Sequence, residues 1–294
     1  MMTNLPQATP QSSAYRHLEV RPLAGSLGAE LLNVDLSRLS DEVFEEIHRA
    51  FLEYSVVFFR DQKLTPEEHK AFGRRFGELN IHPTYVPLPG HEEILAVVKE
   101  KDAKHNIGDT WHTDVTFLPT PPMGSILYAR EIPPFGGDTL FANLSMAYDA
   151  LSDGMKQMLV GLNAVHSNAY LLGGKDGGED RNQTRSTKLR EDKRQELTAV
   201  HPVVRTHPET GRKCLFVNQA FTQRFENMTR EESQPLIDYL VRHASRPEFT
   251  CRFRWAEGSI AFWDNRCTYH YALNDYHGYR REMHRVTVNG DRPF

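Results

Sequence analysis

The chain has 294 residues, a formal charge of −4 and 39% hydrophobic residues, which excludes a disordered chain and leaves no global charge for binding nucleic acid. Its longest apolar runs, such as Val56-Val57-Phe58-Phe59, fall far short of the ~20 residues that span a bilayer. The first residues lack the basic-then-apolar layout of a signal peptide, and three cysteines without a C-x-x-C spacing argue against a disulfide framework or a cysteine zinc site. The expectation is a cytoplasmic globular protein that engages neither nucleic acid nor membrane.

Residues 1–14, rich in Thr, Pro, Gln and Ser without hydrophobic period, read as a flexible tail before a single domain over 15–294. Ser40 caps a helix whose Phe44, Ile47 and Phe51 share one face. Tyr54 to Arg60 is β-branched and aromatic, hence a buried strand. Thr65-Pro66-Glu67-Glu68 is a capping box with proline at the first helical position, and Phe72, Phe76 and Leu79 follow as an apolar stripe. From about residue 93 strands dominate: Ile94–Val98, Ser125–Ala129, Thr139–Ala142, Ala199–Thr206, Cys214–Val217, Phe249–Trp255, Ser259–Trp263 and Arg285–Val288. Helices are expected at Ser152–Leu162 and Thr229–His243, with Pro235 inside the second. Residues 173–196 are glycine-rich and charged and lie between strands, which reads as an insertion in the domain, either a mobile lid or simple disorder. Many short strands with peripheral helices give an α+β class with a mainly β core of the jelly-roll sort.

Trp111-His112-Thr113-Asp114 contains an H-x-D pair whose side chains would share one side of a strand. With 14 histidines and 16 aspartates, roughly one such pair is expected by chance. A third candidate ligand, His270, lies 156 residues beyond Asp114. Two histidines and a carboxylate are the facial set of non-haem Fe(II) oxygenases, and the same donors also suit catalytic zinc. Arg281, 11 residues after His270, suits a carboxylate, and Thr139 can add a hydroxyl donor. Arg281 and Arg285, four apart in a strand, point to one face with Cα atoms roughly 13 Å apart, a spacing for two anions near one metal.

The chain resembles the taurine dioxygenase family of Fe(II)/2-oxoglutarate-dependent oxygenases, which include alkylsulfatase and aryloxyalkanoate dioxygenase relatives. The resemblance runs from about His17 to Phe294 and rests on several stretches in order: Val56–Gln62, Ile81–Tyr85, Trp111–Phe117, Gly136-Gly137-Asp138-Thr139, His201–Pro208, Phe216-Val217-Asn218, Trp263-Asp264-Asn265-Arg266 and Met283-His284-Arg285. It implies a double-stranded β-helix (jelly roll) with flanking helices and an active-site lid. It implies that His112, Asp114 and His270 hold Fe(II), that Thr139 and Arg281 grip 2-oxoglutarate, and that O2 is the oxidant. It also implies that His82, Tyr85, Val115, Phe221 and Arg285 bind the substrate, a small organic anion.

Two positions depart from the family's pattern. The taurine-binding Asn four residues before the first metal His is Gly108 here, and an aromatic after His166 aligns with Leu172. The resemblance therefore implies hydroxylation of taurine or a related alkyl sulfonate, with release of sulfite and an aldehyde alongside succinate and CO2. An alkyl sulfate ester or an aryloxyalkanoate is the alternative within the family, and an amine on the substrate should matter less than in a strict taurine enzyme. A zinc hydrolase leaves Arg281 and Thr139 without a task, and a non-catalytic β-barrel would tolerate loss of a ligand, of which there is none. Relatives self-associate, so a homo-oligomer is expected.

Overall fold

The structure, a computed structural model, describes residues 15–172, 186–193 and 195–294. Its first strands are β1 (Glu19–Pro22), β2 (Ala29–Leu32), β3 (Val56–Phe59), β4 (Ile94–Lys99), β5 (Gly124–Glu131), β6 (Thr139–Asn143) and β7 (Asn163–Ser167). There follow β8 (Thr198–Pro202), β9 (Val204–Thr206), β10 (Lys213–Leu215), β11 (Thr222–Phe225), β12 (Thr250–Phe253), β13 (Ile260–Asp264), β14 (Thr268–Ala272) and β15 (Arg281–Val288). The helices are α1 (Asp41–Tyr54), α2 (Pro66–Arg74), α3 (Leu144–Asp149), α4 (Asp153–Leu159) and α5 (Arg230–Ala244).

The apolar run of β3 shows how the layers arise, because its four side chains are all buried but point two ways. Val56 and Phe58 enter a core with Phe141 of β6 and Phe253 of β12; Phe58 stacks on Phe253 with ring centroids 4.0 Å apart. Val57 and Phe59 enter a second core with Ile47, Ala50 and Phe51 of α1 and Phe72 of α2. A seven-stranded sheet in the order β1-β2-β3-β13-β5-β15-β4 thus has a three-stranded sheet, β12-β6-β14, on one face and two helices on the other. A third core, built on Ala142, Leu215, Phe225 and Leu240, covers the outer side of the small sheet with α5 and α3. The fold is mainly β, with few helices.

The capping predictions hold in detail. Ser40 accepts from the Val43 amide, and Thr65 and Glu68 form a reciprocal capping box. Other boundaries move. The stretch 199–206 is two strands in different sheets, and the switch falls at Val203, whose amide still bonds the Leu162 carbonyl while its own carbonyl accepts from the Phe216 amide. The strand expected over 249–255 shortens to β12, and the helix expected over 152–162 ends at Leu159. The tail 1–14 lies outside the described residues. Of the lid stretch 173–196, residues 186–193 and 195–196 are described. There, Thr187 Oγ1 accepts from the Val98 amide at 2.8 Å, and Lys188 and Arg190 exchange backbone bonds with Val86 and Thr84. Among the described residues no helix is long and apolar enough to cross a membrane.

Candidate active site

β14 carries His270 and pairs with β6, so that His270 lies opposite Phe141 and Ala272 opposite Thr139. The segment before Asp114 is sewn to the other side of β14. The amide and carbonyl of His112 exchange hydrogen bonds of 3.1 and 2.9 Å with those of His270, and the Ala272 amide bonds the Gly108 carbonyl. His112 therefore occupies a one-residue bridge rather than the regular strand expected for the H-x-D pair, and Asp114 sits in a turn closed by Val115 at φ 52°.

The buried His112, Asp114 and His270 each offer one ligand atom, and the three atoms lie within 4.8 Å of one another. Both histidine Nε2 atoms stand 3.9 Å from Asp114 Oδ1. The Thr110 carbonyl can only accept, so His112 Nδ1, 2.7 Å away, carries the proton and leaves Nε2 with a free lone pair. Burial pushes the pKa of both histidines below the usual value, which favours the neutral, ligating form. Burial works to raise Asp114, but the Arg285 charge, with the Ser125 hydrogen bond, outweighs it and holds the carboxyl far below the carboxylate range. This donor set fits a divalent metal with open positions.

The other oxygen of Asp114 is tied down by a chain whose polarity is forced. The indole of Trp263 can only donate, and it donates to Asn265 Oδ1 at 2.9 Å. Asn265 Nδ2 must then face Ser125 Oγ, at 3.2 Å, and Ser125 gives its one proton to Asp114 Oδ2 at 2.8 Å. Asn265 lies in one of the recognised stretches, whereas Ser125 carried no signal, being an ordinary strand residue 140 positions from Asn265.

β15 supplies both arginines, each buried. Arg281 Nε and Nη2 have no partner among the described residues, and the Thr139 hydroxyl accepts from the Trp255 indole at 3.0 Å. Gly137, at φ 70°, keeps the approach open, because a Cβ there would stand 3.3 Å from Arg281 Cδ. Unpartnered guanidinium nitrogens in a buried site fit a carboxylate.

Arg285 is not wholly free: its Nη1 donates to Asp114 Oδ1 at 2.8 Å, while its Nε has no partner. Arg285 lines a cleft with His82, Tyr85, Val115 and Phe221, so all five residues expected at the substrate site border one space. His82 Nδ1 accepts from the Thr84 and Tyr85 amides, leaving Nε2 as its N–H donor, and burial with the nearby Arg285 charge pushes its pKa down to about 3. Gly108 also borders the cleft. It adopts φ 85°, and a Cβ would stand 3.0 Å from His112 Cε1. Leu172, aligned with the family's aromatic, is not the residue of this turn that faces the cleft. Tyr170 and Leu171 border the cleft, and Leu172 packs outside it with Tyr85 and Leu95.

A second group, His207, Asp264 and Cys267, also brings three ligand atoms together. It is a structural knot. Arg266 donates to both oxygens of Asp264, and His207 Nδ1 accepts from two amides, so its Nε2 proton goes to Asp264 Oδ2 at 2.9 Å. The three cysteines are free and buried, as expected of packing residues.

The family model for the taurine catabolism dioxygenase TauD, TfdA family matches residues 19–287. An alkylsulfatase of Acinetobacter baylyi is 40% identical over 279 residues, which are 94% of this chain and 86% of that protein. An alpha-ketoglutarate-dependent sulfate ester dioxygenase of Pseudomonas putida is 36% identical over 94% of this chain and 91% of its own length. A crystal structure of a taurine dioxygenase from Burkholderia xenovorans superposes with a TM-score of 0.78 at 40% identity, covering 95% of this chain and 93% of that one. The chain belongs to the taurine catabolism dioxygenase TauD, TfdA family and is a dioxygenase dependent on Fe(II), alpha-ketoglutarate (2-oxoglutarate) and O2.

Proposed function

We propose that the enzyme oxidises a small organic anion with an apolar tail, an alkyl sulfonate or alkyl sulfate, at the carbon bearing the sulfur or ester oxygen. His112, Asp114 and His270 hold the metal, Thr139 and Arg281 hold the distal carboxylate of 2-oxoglutarate, and Arg285 with His82 holds the substrate's anionic head. The seven-stranded sheet packed against β12-β6-β14 supports a double-stranded β-helix around this site. The stitching of residues 187–190 to Thr84–Val86 supports a covering role for the inserted stretch.

The observation that carries the substrate reading is the make-up of the cleft. Among the described residues its one carboxylate, Asp114, is committed to Arg285 and Ser125, while Ile107, Val115, Phe117, Leu171 and Phe221 supply apolar walls. Among these described residues an ammonium group finds no uncommitted carboxylate, whereas an alkyl chain finds surface to bury. Bound Fe(II) supplies the activation of O2 that, with decarboxylation of 2-oxoglutarate to succinate and CO2, hydroxylates the substrate carbon. The protein's part is placement. Arg285 fixes the head group, the neutral His82 adds an N–H donor, and the aromatic walls exclude water. The hydroxylated carbon then expels sulfite from a sulfonate, or sulfate from a sulfate ester, and leaves an aldehyde.

A substrate panel tests this. Succinate release is compared for taurine, unaminated alkyl sulfonates, alkyl sulfates, aryloxyalkanoates and neutral analogues, with sulfite and sulfate measured separately. The expected leaders are unaminated sulfonates or sulfates, with KM raised at least 30-fold in Arg285→Ala, about the effect of stripping a buried anion of its cation. Strong turnover of a neutral compound, undiminished in Arg285→Ala, overturns the anion clamp. A steep preference for taurine overturns the apolar-tail reading.

A further inference from the structure

The three tryptophans divide sharply by surroundings. Trp111 packs beside Tyr269 and Tyr271, Trp263 serves Asn265, and Trp255 is joined to both residues of the 2-oxoglutarate clamp. Trp255 follows β12, is buried, and leans edge to face on Phe253 with ring centroids 4.9 Å apart. Its Nε1 donates to Thr139 Oγ1 at 3.0 Å, and the Arg281 guanidinium carbon lies 5.7 Å from its ring centroid.

We propose that Trp255 is a positioning residue for the co-substrate, setting the Thr139 hydroxyl as a donor and holding the Arg281 guanidinium for one distal carboxylate. This rests on the assignment of Thr139 and Arg281 to that carboxylate.

The polarity follows from elementary bonding. An indole N–H can only donate, and a hydroxyl has one proton. With a lone pair of Thr139 occupied by Trp255, the hydroxyl turns its proton elsewhere. A carboxylate accepts it; a neutral carbonyl or hydroxyl gains less. The same ring sits within cation–π range of Arg281, whose Nε and Nη2 are buried without partners. Without the ring, the guanidinium loses its flank and the hydroxyl loses its fixed orientation. Trp255 acts through these two residues and need not touch the ligand.

The test compares two 2-oxo acids that differ at the distal end. 2-Oxoglutarate has the second carboxylate and pyruvate lacks it, while both present the same 2-oxo acid group. Calorimetric dissociation constants are measured on Zn(II)-loaded wild type, Trp255→Phe and Arg281→Ala. Trp255→Phe should weaken 2-oxoglutarate roughly 5- to 20-fold, the scale of one lost buried hydrogen bond and a cation–π contact weakened by the smaller ring, and leave pyruvate within about twofold. Equal weakening of both ligands overturns the proposal in favour of general damage, and no weakening overturns it outright. If Arg281→Ala keeps the preference for 2-oxoglutarate, the clamp assignment itself falls. If Arg281→Ala loses that preference while Trp255→Phe keeps it, only the role of Trp255 falls. A second measurement needs no variant. In wild type with 15N-labelled indoles, one of three N–H resonances should move with 2-oxoglutarate and stay in place with pyruvate. Failure of every indole to distinguish the two ligands overturns the proposal.

Discussion

Ser125 decides which oxygen of Asp114 faces the two histidines. Its hydroxyl proton is forced toward Oδ2 by Asn265, itself oriented by Trp263, so Oδ1 is the atom left beside both Nε2 atoms. Removing the hydroxyl frees the carboxylate to rotate and leaves the Asn265 amide without an acceptor. Ser125→Ala should therefore cost about 10- to 100-fold in metal affinity, the usual effect of losing an outer-shell partner. Anaerobic titration with Fe(II) or Mn(II) measures it, and unchanged affinity removes Ser125 from the site's support. Gly108 teaches a different lesson at this scale. Read in sequence, it is a missing polar side chain. In space, its positive φ favours glycine and a Cβ would press on the His112 ring, so the same residue opens the cleft and leaves room for His112.

At the scale of elements, what was legible depended on pattern length. α2 announces its start by a capping box, but it ends at Arg74, short of Phe76 and Leu79 in the expected stripe; β3 is announced by four apolar residues and lies within the expected Tyr54 to Arg60. β14, which carries His270, was missed. Thr-Tyr-His-Tyr-Ala is short, centred on a polar residue, and buried because two neighbours cover it. β7 and the β1–β2 hairpin were missed for the same reason, being four or five residues long with mixed burial. The group of His112, Asp114 and His270 was visible only because three chemically apt residues recur in a family pattern; the positive φ at Val115, which begins the turn after Asp114, has no such signal. Between the two sheets the controlling contact is Phe58 on Phe253, backed by Phe141. Phe58→Ala should cost about 3–5 kcal/mol, because the fully buried ring leaves a cavity between stiff strands. A denaturant midpoint lowered with unchanged slope checks it.

Over the whole molecule, one ionic knot ties α1, the β9–β10 hairpin and the turn between β13 and β14. His48 pairs with Glu209, Glu209 with Arg266, and Arg266 with Asp264, which also takes the His207 proton. Burial works to raise Asp264, but Arg266 and His207 outweigh it and hold the carboxyl well below the ordinary range. A carboxyl depressed in the folded state adds stability above its unfolded value of about 3.9, and loses it as pH falls from there toward the folded value. Asp264→Asn should cost about 3–5 kcal/mol at neutral pH, since Arg266 stays buried with one anion fewer. Below pH ~4 the variant should lose stability less steeply than wild type, having one fewer depressed carboxyl to protonate. Urea unfolding at pH 7, 4 and 3 reads both effects, and parallel losses in the two proteins would count against the knot. β15 has a longer reach. It carries Arg281 and Arg285 on one face of a strand held on both sides, by β4 and β5. The walls of the cleft come from elsewhere: Ile107 from a loop, Tyr170 and Leu171 from a single 3₁₀ turn, and Phe221 from the approach to β11. Those walls can mutate without moving either anchor, so a lineage can exchange one tail for another while head group and oxidant stay in place. Divergence among such enzymes should then gather in a few loop positions and leave the ladder beneath them alone.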